Sequence, residues 1–213
     1  MKRPGFFVLL FLLTTLACST AQMGEAVAPS GGILFQDSFS NPQSGWGRLN
    51  QDAGVADYQN GAYHIYVKAP NVNLWAHPGM DFSTVRVEAD IMTASGPQEN
   101  RMGLICRHRD DSNFYYFVIS ADGYFGIGKV KAGKWSLLNG SQMQKSSLIH
   151  TGTQVNRLRA DCIGNLLILY ANGQVVGSAQ DADFSDGDVG LLAGAFEVPG
   201  VDVYFDNFVV TKP

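Results

Sequence analysis

Two carboxylates on one alternating segment are the first residues with chemistry in them. In Val85-Arg86-Val87-Glu88-Ala89-Asp90-Ile91 apolar residues take every odd position and charges every even one. Glu88 and Asp90 therefore leave the same face of a strand. Glycoside hydrolysis needs two carboxyl groups facing each other across the scissile bond, and solvated charges on an amphipathic strand give the same pattern. His64, His77, His108 and His150 are scattered, and none accompanies a Gly-x-Ser-x-Gly nucleophile turn. No Gly-x-Gly-x-x-Gly or P-loop pattern opens a helix, so no nucleotide site is expected. Binding chemistry is better represented. Trp46, Trp75 and Trp135 fall in or beside loops, and Tyr116 lies on a strand-like run with Arg107 upstream. Aromatic rings stack on the C–H faces of sugars while polar side chains bond the hydroxyls. Core packing is the competing use of each large ring.

Metal and thiol chemistry is sparser. Asp181-Ala182-Asp183-Phe184-Ser185-Asp186-Gly187-Asp188 is acid-rich, but Asp186 occupies the position where a calcium loop needs glycine. A structural calcium has a second place, between Asp37 near the first strand and Asp206 near the last, if the terminal strands pair. Of three cysteines, Cys106 and Cys162 sit in strand-like segments without a partner at zinc-site spacing. Two arrangements are open for them, a disulfide in an oxidising compartment or two buried thiols acting as small hydrophobes. The bridge is carried forward as the expectation.

The elements that must position these residues begin after an address segment. Met1-Lys2-Arg3 precedes the apolar run Phe6 to Leu13, too short to span a bilayer and of signal-peptide length. Leu16-Ala17-Cys18 resembles the lipobox of bacterial lipoproteins, which implies cleavage before Cys18 and its lipidation. Cleavage near Ala17 or Ala21 by ordinary secretion is the alternative. The expectation is an exported chain with a signal peptide over 1–17, a lipidated Cys18 and flexible tether over 18–32, and one folded domain over 33–213. A formal net charge of −4 argues against a nucleic-acid partner.

From Ile33 onward the apolar period is two. Asn60-Gly61, Asp122-Gly123, Gly164-Asn165 and Asn172-Gly173 are hairpin dipeptides. Phe114-Tyr115-Tyr116-Phe117-Val118-Ile119 is apolar on both faces and predicts a central strand. Roughly twelve short strands and no helical stripe give an all-β sandwich or barrel, of a size suited to a jelly roll.

The motif order resembles bacterial concanavalin A-like jelly-roll domains. The opening Asp37-Ser38-Phe39-Ser40-Asn41-Pro42-Gln43-Ser44-Gly45-Trp46 is similar to theirs, as are Arg107 with Asn113 to Phe117, Asn156-Arg157-Leu158-Arg159, and the closing Phe205-Asp206-Asn207-Phe208. The resemblance implies a concanavalin A-like lectin/glucanase sandwich of two antiparallel sheets, near the 3-keto-disaccharide hydrolase and laminin-G-like groups. Jelly-roll glucanases carry Glu-x-Asp-x-x-Glu on one strand. Here Glu88 and Asp90 match the first two acids and Thr93 follows where the third would stand, which removes the reason to carry catalytic roles across. The reading is a non-catalytic, lipid-anchored domain that binds a glycan or cell-surface polymer at the extracytoplasmic face, through Trp46, Trp75, Arg107, Tyr116 and Trp135. The alternatives are a glycoside-cleaving enzyme, marked by paired carboxylates in a groove, and a protein-interaction module, marked by a flat face.

Overall fold

A computed structural model describes residues 31–213 together with Met1. The signal segment, Cys18 and the tether as far as residue 30 lie outside the described residues. Sixteen strands follow in order: β1 (Ile33–Asp37), β2 (Leu49–Gln51), β3 (Gly54–Gln59), β4 (Ala62–Val67), β5 (Asn73–Ala76), β6 (Val85–Ser95), β7 (Asn100–Asp110), β8 (Asn113–Ile119), β9 (Tyr124–Lys131), β10 (Lys134–Leu137), β11 (Gln144–Lys145), β12 (Asn156–Ile163), β13 (Leu166–Ala171), β14 (Gln174–Gln180), β15 (Asp188–Ala195) and β16 (Val201–Thr211). The excess over the expected number comes from pieces such as β2 and β11, which are too short to show a period of two.

The strands form two antiparallel sheets. A nine-stranded sheet runs β14-β13-β12-β6-β16-β4-β3-β2, with β1 also on β16; a seven-stranded sheet runs β10-β9-β8-β7-β15-β5, with β11 on β9. The alternation read over 85–91 appears as a strand whose odd positions are buried and whose even positions are half-exposed. The inward faces of both sheets meet in one core, with Val87, Ile91 and Phe205 from one side and Leu104, Phe117 and Leu191 from the other. β8 is central, as its two apolar faces require.

Local chemistry sets the register. Asn60-Gly61 and Asn172-Gly173 hold positive φ at both residues and close two-residue hairpins. Ala132-Gly133 does the same between β9 and β10, with Ala132 at φ 51°. That turn was not legible in the sequence, because alanine rarely adopts this region.

Cys106 on β7 and Cys162 on β12 form a disulfide that joins the two sheets across the core. The bridge closes a long loop of the unfolded chain and should contribute about 2–4 kcal/mol. The double variant Cys106→Ala/Cys162→Ala should therefore lose about that much in chemical denaturation. Unfolded, unreduced protein lacking residue 18 should show no free thiol. Two titratable thiols would exclude the bridge.

Candidate functional site

The seven-stranded sheet has a second apolar face, turned away from the core. Ile105, Phe114, Tyr116, Val118, Val130 and Leu192 form it, packed beneath Trp75, Leu137 and Met143. Strand register places them in rows: Trp75, Leu192, Gly103, Val118 and Gly126 lie opposite one another in turn. β5 and β10 are the two ends of the strand order, yet the rings of Trp75 and Trp135 approach to 6.2 Å. The sheet must curl for its edges to meet, so this face is concave.

The rings form a continuous platform. Phe114 lies 5.4 Å from Trp75 and 5.6 Å from Trp135, and Tyr116 lies 5.0 Å from Trp135. Trp75 Nε1 donates to Asp111 Oδ1 at 3.1 Å, which fixes the indole. The Tyr116 ring lies on Gly128, where a Cβ would come within 2.2 Å of it, and its hydroxyl donates to the Ser136 carbonyl at 3.0 Å. Burial pushes the Tyr116 phenol up to about 12, so it is a neutral donor at physiological pH. Trp135 is 38% exposed and Tyr116 only 5%. Trp135 is thus a free stacking surface, and Tyr116 is the floor.

Beside the platform opens a cavity of about 510 Å³ whose lining combines Tyr116, Leu137 and Met143 with Glu99, Arg101, Asp122, Tyr124, Gln142 and Phe196. Arg101 stacks 3.7 Å above the Phe196 ring, and its Nη1 donates to Asn73 Oδ1 at 3.2 Å. Register sets Asn73, Gly194 and Arg101 in one row. A Cβ on Gly194 would approach Asn73 Oδ1 to 2.0 Å, so glycine there is what lets the two side chains meet. Burial lowers the Arg101 pKa, with the Tyr116 phenol acting weakly against it. Asp122 accepts from the Ser120 hydroxyl. This mixture of donors and acceptors beside a hydrophobic wall suits the two-sided character of a sugar ring.

Of the residues read from the sequence, the structure brings Trp75, Tyr116 and Trp135 together and leaves the others apart. Arg107 is a correction. It is 2% exposed, and its Nε and Nη1 donate to the carbonyls of Ser83 at 3.2 Å and Phe184 at 2.8 Å. With its donors turned inward, it straps two loops to a bulge of β7 and offers nothing to a ligand. Trp46 is a second correction. It is 4% exposed, edge-on to Phe208 at 4.8 Å, and its Nε1 donates to Asp37 Oδ2 at 3.0 Å. The terminal strands do pair, but Asp37 stands opposite Phe208 and also accepts from Phe39 N at 2.7 Å and from the Ser44 hydroxyl. Asp206 stands opposite Asp90 and accepts from Asn207 N. Asp37 therefore serves the buried indole, and among the described residues no three His, Cys, Asp or Glu side chains gather. In the 181–188 loop, Asp181 and Asp183 both pair with Lys129, and Asp183 also with Lys131.

Glu88 and Asp90 point out from the nine-stranded sheet, where Arg157 lies 3.2 Å and 3.4 Å from them. They are ion-paired surface groups on the sheet opposite the concave face. Glu99, Arg101, Gln142 and Phe196 were not singled out by sequence reasoning. Arg101 alone had a signal, a charge in step with Gly103 and Ile105 just before the apolar stretch Met102–Cys106; the others come from loops without a pattern.

At one end of the platform, His108 stacks 4.4 Å from His77 and 5.4 Å from Phe114. His77 Nδ1 donates to Asp188 Oδ2 at 2.8 Å, and this bond raises its pKa; burial lowers that of His108. The His77–Asp188 contribution is complete below the ordinary histidine pKa and is lost as pH rises through the raised folded value. His77→Gln should therefore lower the melting temperature more at about pH 5 than at about pH 8. Equal losses at both would show that the charged bond contributes nothing.

No family model matches the chain, and no curated protein resembles it in sequence. Solved structures do resemble it in fold. The carbohydrate binding module CBM66 from Bacillus subtilis superposes with a TM-score of 0.64 at 19% identity, over 79% of this chain and 96% of that one. A Bacillus subtilis protein of unknown function with a galectin-like fold gives 0.66 at 12% identity, over 85% and 96%. The carbohydrate recognition domain of Emp47p gives 0.59 at 11% identity, over 83% and 94%. The chain has an all-β jelly-roll sandwich of two antiparallel sheets.

Proposed function

We propose that this protein is a non-catalytic glycan-binding domain whose ligand stacks on Trp135 and Trp75 and enters the cavity bounded by Arg101, Glu99 and Gln142. The observation that carries the reading is the meeting of Trp75 and Trp135, from opposite edges of the sheet, beside that cavity. Carbohydrate-binding names among its structural neighbours support it. A flat face would have favoured a protein-interaction module, and here the face is concave. In this reading the domain works at the extracytoplasmic surface, anchored through acylated Cys18. Incorporation of labelled fatty acid into the protein, lost in Cys18→Ala, is the expected outcome; equal labelling of the variant removes the anchor.

One observation favours cleavage as a second reading: Glu99 and Asp122 are two carboxylates lining one cavity. A glycan array probed with the purified full chain, with calcium and then with chelator, separates the readings. Binding should be confined to a defined glycan class and should fall at least about tenfold in Trp135→Ala, measured well below the melting temperature of the variant, which falls because the ring also covers Phe114 and Tyr116. Unchanged binding by that variant overturns the platform. Reducing-sugar release from a bound glycan, abolished in Glu99→Gln, would establish the enzyme.

A further inference from the structure

The cavity beside the platform has a neighbour. A second cleft of about 420 Å³ runs along β5, the free edge of the seven-stranded sheet, between Trp75 and Asn73 on one side and Arg48, Leu49, Gln51 and Ala53 on the other. Both clefts are open to solvent, and each lies within the roughly 300–1,000 Å³ range of small-molecule sites.

One contact links a residue of each cleft. Arg101 lines the first cleft, Asn73 lines the second, and the two are hydrogen-bonded at 3.2 Å over the bare backbone of Gly194. The backbone beneath is rigid: Asn71 N donates to the Phe196 carbonyl at 2.6 Å, and Ala195 N to the Val72 carbonyl at 2.9 Å. The far side of the second cleft is also preorganised. Arg48 Nε lies 3.1 Å from Asp57, and its guanidinium sits 5.1 Å from the Tyr58 ring centroid. Trp75 belongs both to the platform and to the second cleft, and Asp111 fixes its indole.

We propose that the two clefts are consecutive subsites for one extended polysaccharide, which crosses the rim of the sheet over the Arg101–Asn73 bridge with Trp75 stacked against it. The proposal rests on the glycan-binding reading above and adds that the protein recognises internal segments of a chain instead of its end. Capture of a chain end needs a blind pocket that closes around the terminal residue. Two open clefts linked through the Arg101–Asn73 contact let a chain continue in both directions. The ligand class that fits is a linear polymer with repeating hydroxyl-bearing rings. Each added ring gains contact surface without a further cost in overall translational and rotational freedom.

Size-fractionated ladders of xylan, mixed-linkage β-glucan, pectin and mucin O-glycans, from disaccharide to octasaccharide, test this by calorimetry on the purified full chain. In whichever ladder binds, affinity should rise about tenfold or more from disaccharide to octasaccharide and then level off. Gln51→Ala removes an exposed polar group from the second cleft, and Ala53→Gln narrows it. Each should weaken octasaccharide binding about fivefold, leave disaccharide binding unchanged, and melt as the parent does. A disaccharide that binds as tightly as the octasaccharide overturns the extended site but leaves glycan binding standing. So does equal binding of long chains by parent and both variants. Failure of every ladder overturns the proposal and the glycan-binding reading together.

Discussion

β8 presents large apolar side chains to both faces of its sheet, Tyr115, Phe117 and Ile119 inward and Phe114, Tyr116 and Val118 outward, and both sets are buried. A single partner sheet can cover only one of these faces. The nine-stranded sheet takes the inner set, and the outer set is left for the seven-stranded sheet to cover with its own edges. Trp75 from β5 and Trp135 with Leu137 from β10 fold over it. The removal of this second apolar face from water is the constraint from which the curvature, the platform and the cavity beside it follow.

Glycines make that curvature usable. Bulky residues at every outward position would fill the concavity with their own side chains. Gly128 leaves room for the Tyr116 ring to lie flat, and Gly194 lets Arg101 reach Asn73. The result is a floor that is hydrophobic, rigid and low, with polar groups confined to one side. Such an arrangement presents stacking surface and hydrogen-bonding groups at small entropic cost, because neither has to be ordered when a ligand arrives.

Three polar residues that hold the frame find their partners within the chain. Arg107 gives its guanidinium to two loop carbonyls, Asp37 caps the Trp46 indole, and Asp188 accepts from His77 and from Gly79 N at 2.6 Å. Isolated polar groups at these depths would be costly, so their pairing also fixes where the loops run. Meanwhile the outward charges of the other sheet, with Arg157 between Glu88 and Asp90, neutralise one another across strands. The two sheets thus have different outer faces, one a ladder of paired charges and the other an aromatic hollow.

Much of the architecture was legible from residue order. Alternation over 85–91, the two-sided apolar run over 114–119 and the Asn-Gly dipeptides are local signals, and the strands and hairpins they predict are present because pleat period and turn conformation are local properties. Trp75, Tyr116 and Trp135 could be named as rings with binding chemistry, but so could Trp46 and Arg107. A one-dimensional pattern says that a large side chain must be buried or used, without saying which. That distinction was made by strand order: β5 and β10 became opposite edges of one curled sheet, whereas Trp46 came to rest beneath β16 against Phe208. The cavity itself had still less trace in the sequence. Glu99 and Arg101 sit together at the start of β7, but Gln142 and Phe196 lie far from them and from each other in sequence, and only the pairing of β7 with β15 and the return of the 138–143 loop over the sheet bring the four to one place. Local chemistry determined which elements form and where they turn; long-range pairing alone decided which face they leave open.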